Sequence, residues 1–253
     1  MTSPSSDRYE LYYWPNIQGR GEFIRLLFEE AGVTYVDVAR LPEREGGGVS
    51  AILQILQADG AHLSPFAPPI IRVGELVIAQ VATILQFLAP RFGLAPEDER
   101  GRVEAHQLQL TLVDLVAEVH DTHHPISTSL YYEDQKAEAK RRASAFVEER
   151  LPKFLGYFEK VLRHNRVGAG RHLVGTSLTY VDLSMFQVLS GLAHAFPNGF
   201  AQVAQDIPLL LALRDSVAAR PRLAAYLASR RRLPFNEEGI FRHYPELDGT
   251  PAR

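Results

Sequence analysis

Apolar and polar residues change their spacing several times along the chain. Residues 11–14 are aromatic and apolar types that suit a pleated, half-buried strand, and Pro15 and Asn16 interrupt it. Beyond this break, apolar residues recur at helical spacing over residues 23–31, and Gly32 stands where a helix would end. The pattern predicts a strand, a loop and a helix.

The following segment shows both kinds of spacing again. Residues 35–38 alternate and predict a second strand parallel to the first, and residues 41–60 predict a mobile loop that leads into a short helix. Residues 70–73 and 76–78 flank a turn and predict a hairpin, and residues 81–89 predict a helix. The amino-terminal part is therefore expected to be a small β/α domain.

Helical spacing dominates after Pro96, where long amphipathic patterns replace the strand-like runs. Thr179 followed by Asp182 predicts reciprocal capping of a helix, and Pro208 and Pro221 suit first helical turns. The predicted helices cover residues 102–123, 134–164, 177–195, 208–219 and 221–230.

Three parts follow from these patterns. We expect one domain over residues 8–92, an all-helical domain over residues 99–232, and a carboxy-terminal extension over residues 233–253. The extension contains Phe235 and Phe241, and burial of such side chains contributes roughly 1.5 to 3 kcal/mol each. It is too aromatic for a solvated tail, so we predict that it packs back on the domain interface and covers the site there.

Composition narrows the classes of function. The 253 residues are 46% hydrophobic, which suits a substantial core, and the net charge of -3 gives no general attraction to nucleic acid or to an anionic membrane. The basic residues 230–232 are better explained as a solvated helix end. Because the chain has no cysteine, a disulfide, a cysteine-ligated zinc and a cysteine nucleophile are excluded. Any thiol chemistry must use the thiol of a substrate.

Two further features of the sequence predict the location of the protein in the cell. Residues 1–7 lack the basic and apolar regions of a signal peptide, and no apolar run is long enough to span a bilayer. We expect a cytoplasmic protein without a membrane partner.

A tyrosine hydroxyl at the end of a strand, facing a helix amino terminus, can hold an anion such as a thiolate. Tyr12 and Tyr13 are both candidates. Successive residues of a strand point to opposite faces, so only one of them can face such a site.

Several motifs follow one another along the chain: Tyr13-Trp14 ahead of Gly19-Arg20-Gly21-Glu22 and Arg25, then Pro69-Ile70-Ile71, Gln80 opening a helix, and Thr179 to Asp182. Together and in this order they resemble the cytosolic glutathione transferase family of the tyrosine type, as a divergent, bacterial-like member. The interval from Pro69 to Gln80 matches the family's spacing between its cis-proline and its Gln-Ser pair. The resemblance covers roughly residues 9–230. It implies an α/β plus all-α fold, with an amino-terminal thioredoxin-like domain followed by an all-helical carboxy-terminal domain.

The resemblance also implies an activity. Tyr13, with Tyr12 as the alternative, would donate a hydrogen bond to the sulfur of glutathione, and the thiolate would attack small hydrophobic electrophiles, peroxides or disulfides. Glutathione would be a co-substrate, no other cofactor or metal is expected, and the protein would be a homodimer. The implied glutathione-binding residues are Gln18, Arg20, Arg44, Pro68, Pro69, Gln80 and Val81. The implied electrophile pocket contains Ile17, His120 and His124.

Some residues depart from the family's pattern. Pro68 has no N–H to pair with glutathione, and Val81 replaces a serine. A Trp and a Lys that often hold the glycine end are missing, so that Arg40, Arg44 or His62 would have to substitute. We therefore predict weak glutathione binding. These departures leave open an alternative function, a transferase-fold binding or interaction protein without catalysis. The loop after Tyr13 is also one residue longer than in the family, which keeps Tyr12 as an alternative.

His120 and His124 also have the spacing of two metal ligands on one helix face. Pro125 follows them, and histidines also suit a helix end. A structural or substrate-pocket role is the better interpretation.

Overall fold

The computed structural model describes residues 8–58 and 63–249, so that residues 1–7, residues 59–62 with His62, and residues 250–253 lie outside the description. Within these ranges four short strands form one sheet in the order β2-β1-β3-β4. They are β1 (Tyr9–Tyr12), β2 (Tyr35–Asp37), β3 (Ile70–Val73) and β4 (Leu76–Ala79). β1 is parallel to β2 and antiparallel to β3, and β3 and β4 form the predicted hairpin.

Three helices accompany the sheet: α1 (Gly21–Ala31), α2 (Gly48–Gln57) and α3 (Val81–Leu88). Gly32 ends α1 with a φ of 68°, a left-handed conformation that glycine adopts without steric cost. The peptide bond between Pro68 and Pro69, just before β3, is cis. The prediction of a cis-proline at this position is confirmed.

Seven helices follow in the described residues: α4 (Glu99–Asp121), α5 (Lys136–Ala145), α6 (Leu151–His164), α7 (Tyr180–Ala195), α8 (Pro197–Val203), α9 (Pro208–Ala218) and α10 (Pro221–Leu227). The helix predicted over residues 134–164 is α5 and α6 joined by one wide π-type turn, Phe146–Arg150. Pro152 in the first turn of α6 has no N–H to donate to an earlier carbonyl, which favours such a widened turn. The short helix α8 was not predicted.

Helix α7 is the centre of the helical part, and nearly all of its residues are buried. Thr179 and Asp182 form the predicted capping box at its start. The fully buried Asp182 carboxylate accepts hydrogen bonds from the backbone N–H of Thr179 (2.7 Å) and of Leu173 (2.8 Å). It therefore fixes both the helix start and the preceding loop.

The two parts of the chain share one large apolar core. Helix α1 packs on α7 and α10, and α3 packs on α4. A second, smaller apolar cluster lies between the sheet and α2, and it contains Tyr12, Ile52 and Ile70. This architecture is the predicted fold class.

The segment after α10 packs on the helical part. Ile240, Phe241 and Leu247 are buried, and the ring of Phe241 lies against Gly191 of α7. The ring of Phe235 stacks on His194, with ring centres 4.9 Å apart. No helix in residues 8–58 and 63–249 is long and apolar enough to cross a membrane.

Candidate functional site

The two adjacent tyrosines at the end of β1 face different surroundings. The Tyr12 ring lies in the small cluster against α2, and its hydroxyl donates to Glu10 Oε2 at 3.1 Å. Burial raises the pKa of Tyr12 to about 12. Tyr13 lies in the main core instead, as the alternation of a strand predicts.

The Tyr13 hydroxyl lies at the amino end of α1. Its oxygen accepts the backbone N–H of Arg20 at 2.7 Å, and the side chain is 4% exposed. Gly19 and Gly21 both pack against it, and a Cβ on Gly21 would lie 2.6 Å from the ring. Among the hydrogen bonds of the described residues, none uses the Tyr13 O–H as donor. This hydroxyl is therefore held through its oxygen while its proton stays available.

The surroundings keep the Tyr13 phenol protonated. Burial raises its pKa, and the N–H of Arg20 and the charges of Arg20 and Arg25 offset this only in part. The guanidinium of Arg25 lies 5.8 Å from the ring centre. A phenol whose pKa is above 10 is neutral at pH 7, so it acts as a hydrogen-bond donor and not as a base.

A cavity of about 230 Å³ lies where α1, α3 and α4 meet. Three of the predicted glutathione residues, Arg20, Gln80 and Val81, line it together. The cavity is also lined by Gln109 of α4, which was not predicted. Tyr13 is not among the lining residues, and its link to the cavity is Arg20, whose backbone N–H bonds the Tyr13 oxygen.

Gln80 has an unusual backbone at the rim of this cavity. Its φ of 72° and ψ of 125° are rare for any residue other than glycine, and such conformations concentrate at functional sites. The helix that it opens, α3, has no side-chain cap. The first N–H groups of α3 therefore have no side-chain cap and can bind an anion at the amino end of the helix.

The predicted residues Arg44 and Gln18 lie in very different environments. Arg44 is on the surface, with its side chain 83% exposed and 3.7 Å from the carboxylate of Glu45. Gln18 is buried, and both ends of its amide are bonded to protein: Oε1 accepts from Gln187 at 2.8 Å, and Nε2 donates to the carbonyl of Leu233 at 2.5 Å. Gln18 can bind glutathione only if these bonds break.

Another predicted substitute for the missing Lys, Arg40, is also engaged. Its guanidinium donates to the carbonyl of Arg231 at 2.8 Å and pairs with Asp37 at 3.1 Å.

The histidines at the end of α4 form a tight group. The rings of His120 and His124 stack with centres 5.1 Å apart, and His123 lies between them and the carbonyl of Ile240, 2.9 Å from its Nε2. Burial lowers the pKa of His120 to about 4 and that of His123 to about 3. These rings are neutral at pH 7. In the described part of the chain, no three His, Asp or Glu side chains converge as metal ligands.

Ile17, the third residue of the predicted electrophile pocket, is half-buried and packs against the main core. Burial lowers the pKa of His120 most, followed by the nearby charges of His124 and Arg20.

Comparison with known proteins decides the family. The model of the glutathione S-transferase carboxy-terminal domain matches residues 120–230. A glutathione S-transferase of Plasmodium falciparum is 27% identical over 229 residues, which are 89% of this chain and 97% of that protein. The hematopoietic prostaglandin D synthase of Gallus gallus is 30% identical over 227 residues, 88% of this chain and 96% of that protein. The chain belongs to the glutathione S-transferase family.

A solved Pi-class glutathione S-transferase of Onchocerca volvulus has the same fold, with a TM-score of 0.69 and 24% identity, covering 91% of this chain and 98% of that one. The protein is thus a glutathione transferase by family, and the family uses glutathione as a co-substrate without a prosthetic group.

Proposed function

We propose that this transferase activates the thiol of glutathione with the hydroxyl of Tyr13, and that the thiolate attacks small hydrophobic electrophiles, peroxides or disulfides. The observation that carries the proposal is the hydrogen bond from the Arg20 N–H to the Tyr13 oxygen. It fixes the hydroxyl at the amino end of α1 and leaves its proton to donate to a sulfur.

The energies are sufficient for this role. Lowering a thiol pKa from about 8.5 to about 6.5 requires about 2.7 kcal/mol of preference for the thiolate. One hydrogen bond to a charged group contributes roughly 1.5 to 3 kcal/mol. The amino end of α1 adds a few tenths to about 1 kcal/mol. A single phenol at this place supplies most of the shift.

The thiolate then acts as a nucleophile. With an alkyl or aryl halide, its lone pair forms the new carbon–sulfur bond while the halide leaves with the electrons of the broken bond. With a hydroperoxide, two glutathione molecules are oxidised to the disulfide, and the peroxide is reduced to an alcohol and water. In both cases the thiol proton passes to solvent before attack.

Glutathione binding is expected at the cavity that Arg20, Gln80 and Val81 line. The γ-glutamyl carboxylate suits the uncapped amino end of α3 and the Arg20 guanidinium. Pro68 removes one backbone donor, which costs about 0.5 to 1.5 kcal/mol or up to about tenfold in affinity. We therefore expect weak binding. The exposed Arg44 remains a candidate for the glycine carboxylate.

The electrophile is expected on the other side of Tyr13, beside Ile17, His120 and His124. The neutral rings of both histidines give this side an uncharged aromatic wall. Such a wall suits a small hydrophobic electrophile. The homodimer, a role in detoxification and a cytoplasmic location remain proposals from the sequence.

Glutathione-dependent turnover tests this function directly. The panel contains an aryl halide, an enone, an organic hydroperoxide and a disulfide, and 2-mercaptoethanol replaces glutathione in the control. We expect turnover that requires glutathione, and calorimetric binding weaker than micromolar. Rates equal to the uncatalysed reaction for every member of the panel would refute the activity and favour the non-catalytic alternative. Tight micromolar binding would refute the predicted weakness.

A further inference from the structure

Arg232, in the segment after α10, lies almost buried between the two parts of the chain, although the basic residues 230–232 were expected to form a solvated helix end. Its side chain is 10% exposed. One guanidinium nitrogen donates to Glu22 of α1 at 2.6 Å, and the other donates to Oε1 of Gln187 in α7 at 2.9 Å. This arginine therefore joins α1 and α7 at the point where the segment leaves α10.

The bond to Gln187 sets the direction of a chain of hydrogen bonds. A guanidinium can only donate, so Gln187 must present its oxygen to Arg232 and its NH₂ to Gln18. Gln18 then accepts with its oxygen and donates with its own NH₂ to the carbonyl of Leu233, which can only accept. The guanidinium at one end and the Leu233 carbonyl at the other thus specify the same orientation of both amides.

Gln18 stands immediately before the residues that hold the Tyr13 hydroxyl. Its carbonyl accepts the N–H of Glu22 at 3.1 Å and a guanidinium N–H of Arg25 at 3.2 Å. Two residues later, the Arg20 N–H bonds the Tyr13 oxygen. Any rotation of the Gln18 backbone therefore displaces the donor that positions this hydroxyl.

We propose that Arg232 is a positioning residue which, through Gln187 and Gln18, holds the loop before α1 so that the Tyr13 hydroxyl meets the glutathione sulfur. The inference rests on the proposed function of Tyr13. It assigns the carboxy-terminal segment a part in the chemistry, although Arg232 itself does not touch the reacting atoms.

The variant Arg232→Met is expected to fold. Glu22 keeps the hydroxyl of Tyr226 at 2.6 Å and the guanidinium of Arg25 at 3.1 Å, so its buried charge remains compensated. Gln187, by contrast, loses the donor to its Oε1 and keeps its bond to Gln18. The perturbation is therefore directed at the loop.

A double-mutant cycle with Tyr13→Phe tests the proposal. Misplacement of a reacting group by about 1 Å costs up to about a hundredfold in rate, and we expect Arg232→Met to lower kcat/KM about tenfold at a pH of about 6.5. In the Tyr13→Phe background it should have almost no effect, because the hydroxyl that it positions is gone. Arg232→Lys keeps the charge without the fork of donors and should recover part of the loss.

Arg231→Met is the matched control. The Arg231 side chain is 60% exposed, and its partner Glu29 keeps a hydrogen bond from the Tyr35 hydroxyl at 3.0 Å, so this change should leave the rate unchanged. The positioning role would be overturned if Arg232→Met lowered kcat/KM by the same factor in both backgrounds. It would also be overturned if Arg232→Lys lost all activity and thermal melting showed that this variant is unfolded. If the wild type itself shows no Tyr13-dependent turnover, it is the proposed function that fails. If Tyr13→Phe loses activity as expected and the cycle is additive, only the inference about Arg232 fails.

Discussion

The substitution Tyr13→Phe removes one oxygen and leaves the ring in its packing place against Gly19 and Gly21. The lost hydrogen bond to the thiolate is worth roughly 1.5 to 3 kcal/mol. At 1.36 kcal/mol per unit, the pKa of the bound thiol should rise by about 1 to 2 units. The thiolate fraction at a pH of about 6.5, which is about one half in the wild type, should fall about 5- to 50-fold, and kcat/KM should fall with it.

The pH dependence separates this effect from a loss of binding. Above the pKa of free glutathione the thiol ionises without help, so the wild type and Tyr13→Phe should converge at high pH. The assay is kcat/KM for conjugation across the pH range, together with the ultraviolet absorbance of the bound thiolate. Thermal melting checks the fold, because the substitution leaves the Arg20 N–H without its acceptor.

Tyr12→Phe is the matched control. It removes a hydroxyl of the same kind, but that hydroxyl bonds Glu10, which keeps its ion pair with Arg72 at 2.5 Å. We expect its pH profile to match that of the wild type. An unchanged profile in Tyr13→Phe, or a shifted one in Tyr12→Phe, would refute the assignment of the hydroxyl.

Three further predictions concern the site and the fold. In Gly19→Ala the new methyl group would clash with the Tyr13 hydroxyl, and the φ of 46° at residue 19 is unfavourable for alanine. We therefore expect kcat/KM to fall as far as in Tyr13→Phe. An unchanged value would show that the hydroxyl is not used where the structure holds it. Asp182→Ala leaves buried N–H groups unpaired, so urea denaturation should show a loss of about 2 to 5 kcal/mol, and a loss under about 0.5 kcal/mol would contradict the capping role. Burial lowers the pKa values of His120 and His123 below about 6.5, which is the value in the unfolded chain. Protonation at lower pH therefore favours the unfolded chain. The free energy of unfolding should be highest above a pH of about 6.5 and should fall as the pH drops toward about 4. His123→Asn should reduce this fall, and an identical pH dependence would exclude His123 as its source.

Much of the fold could be predicted because its signals are local. The strands and most helices follow from spacing, and Gly32, the Thr179–Asp182 pair and Pro221 mark helix ends within a few residues of the pattern. The π-type turn before α6 and the short helix α8 could not be predicted, since neither changes the period of the apolar residues over enough turns.

The site was predictable only in part. Gln109 does carry a signal in the sequence, a polar residue on the buried stripe of α4 that includes Ala105 and Leu112. Gln18 carries none: its partners Gln187 and Leu233 lie 169 and 215 residues away along the chain. Its place beside a glutathione-binding motif suggested a ligand contact, whereas the structure uses its amide to join the loop to the rest of the protein.

The long-range bonds of Gln18 also explain how an extended loop can hold a hydroxyl in a fixed place. Each residue that is ordered costs roughly 1 to 2 kcal/mol of backbone entropy, so residues 14–19 need anchors beyond their ends. The structure provides them through the amide of Gln18 and through Asn236, whose side chain donates to the carbonyl of Asn16 at 2.9 Å. Both anchors reach the segment after α10. The position of the Tyr13 hydroxyl therefore depends on residues near the opposite end of the chain. A variant that loosens the segment after α10 should show a lower catalytic rate at temperatures where the protein is still folded.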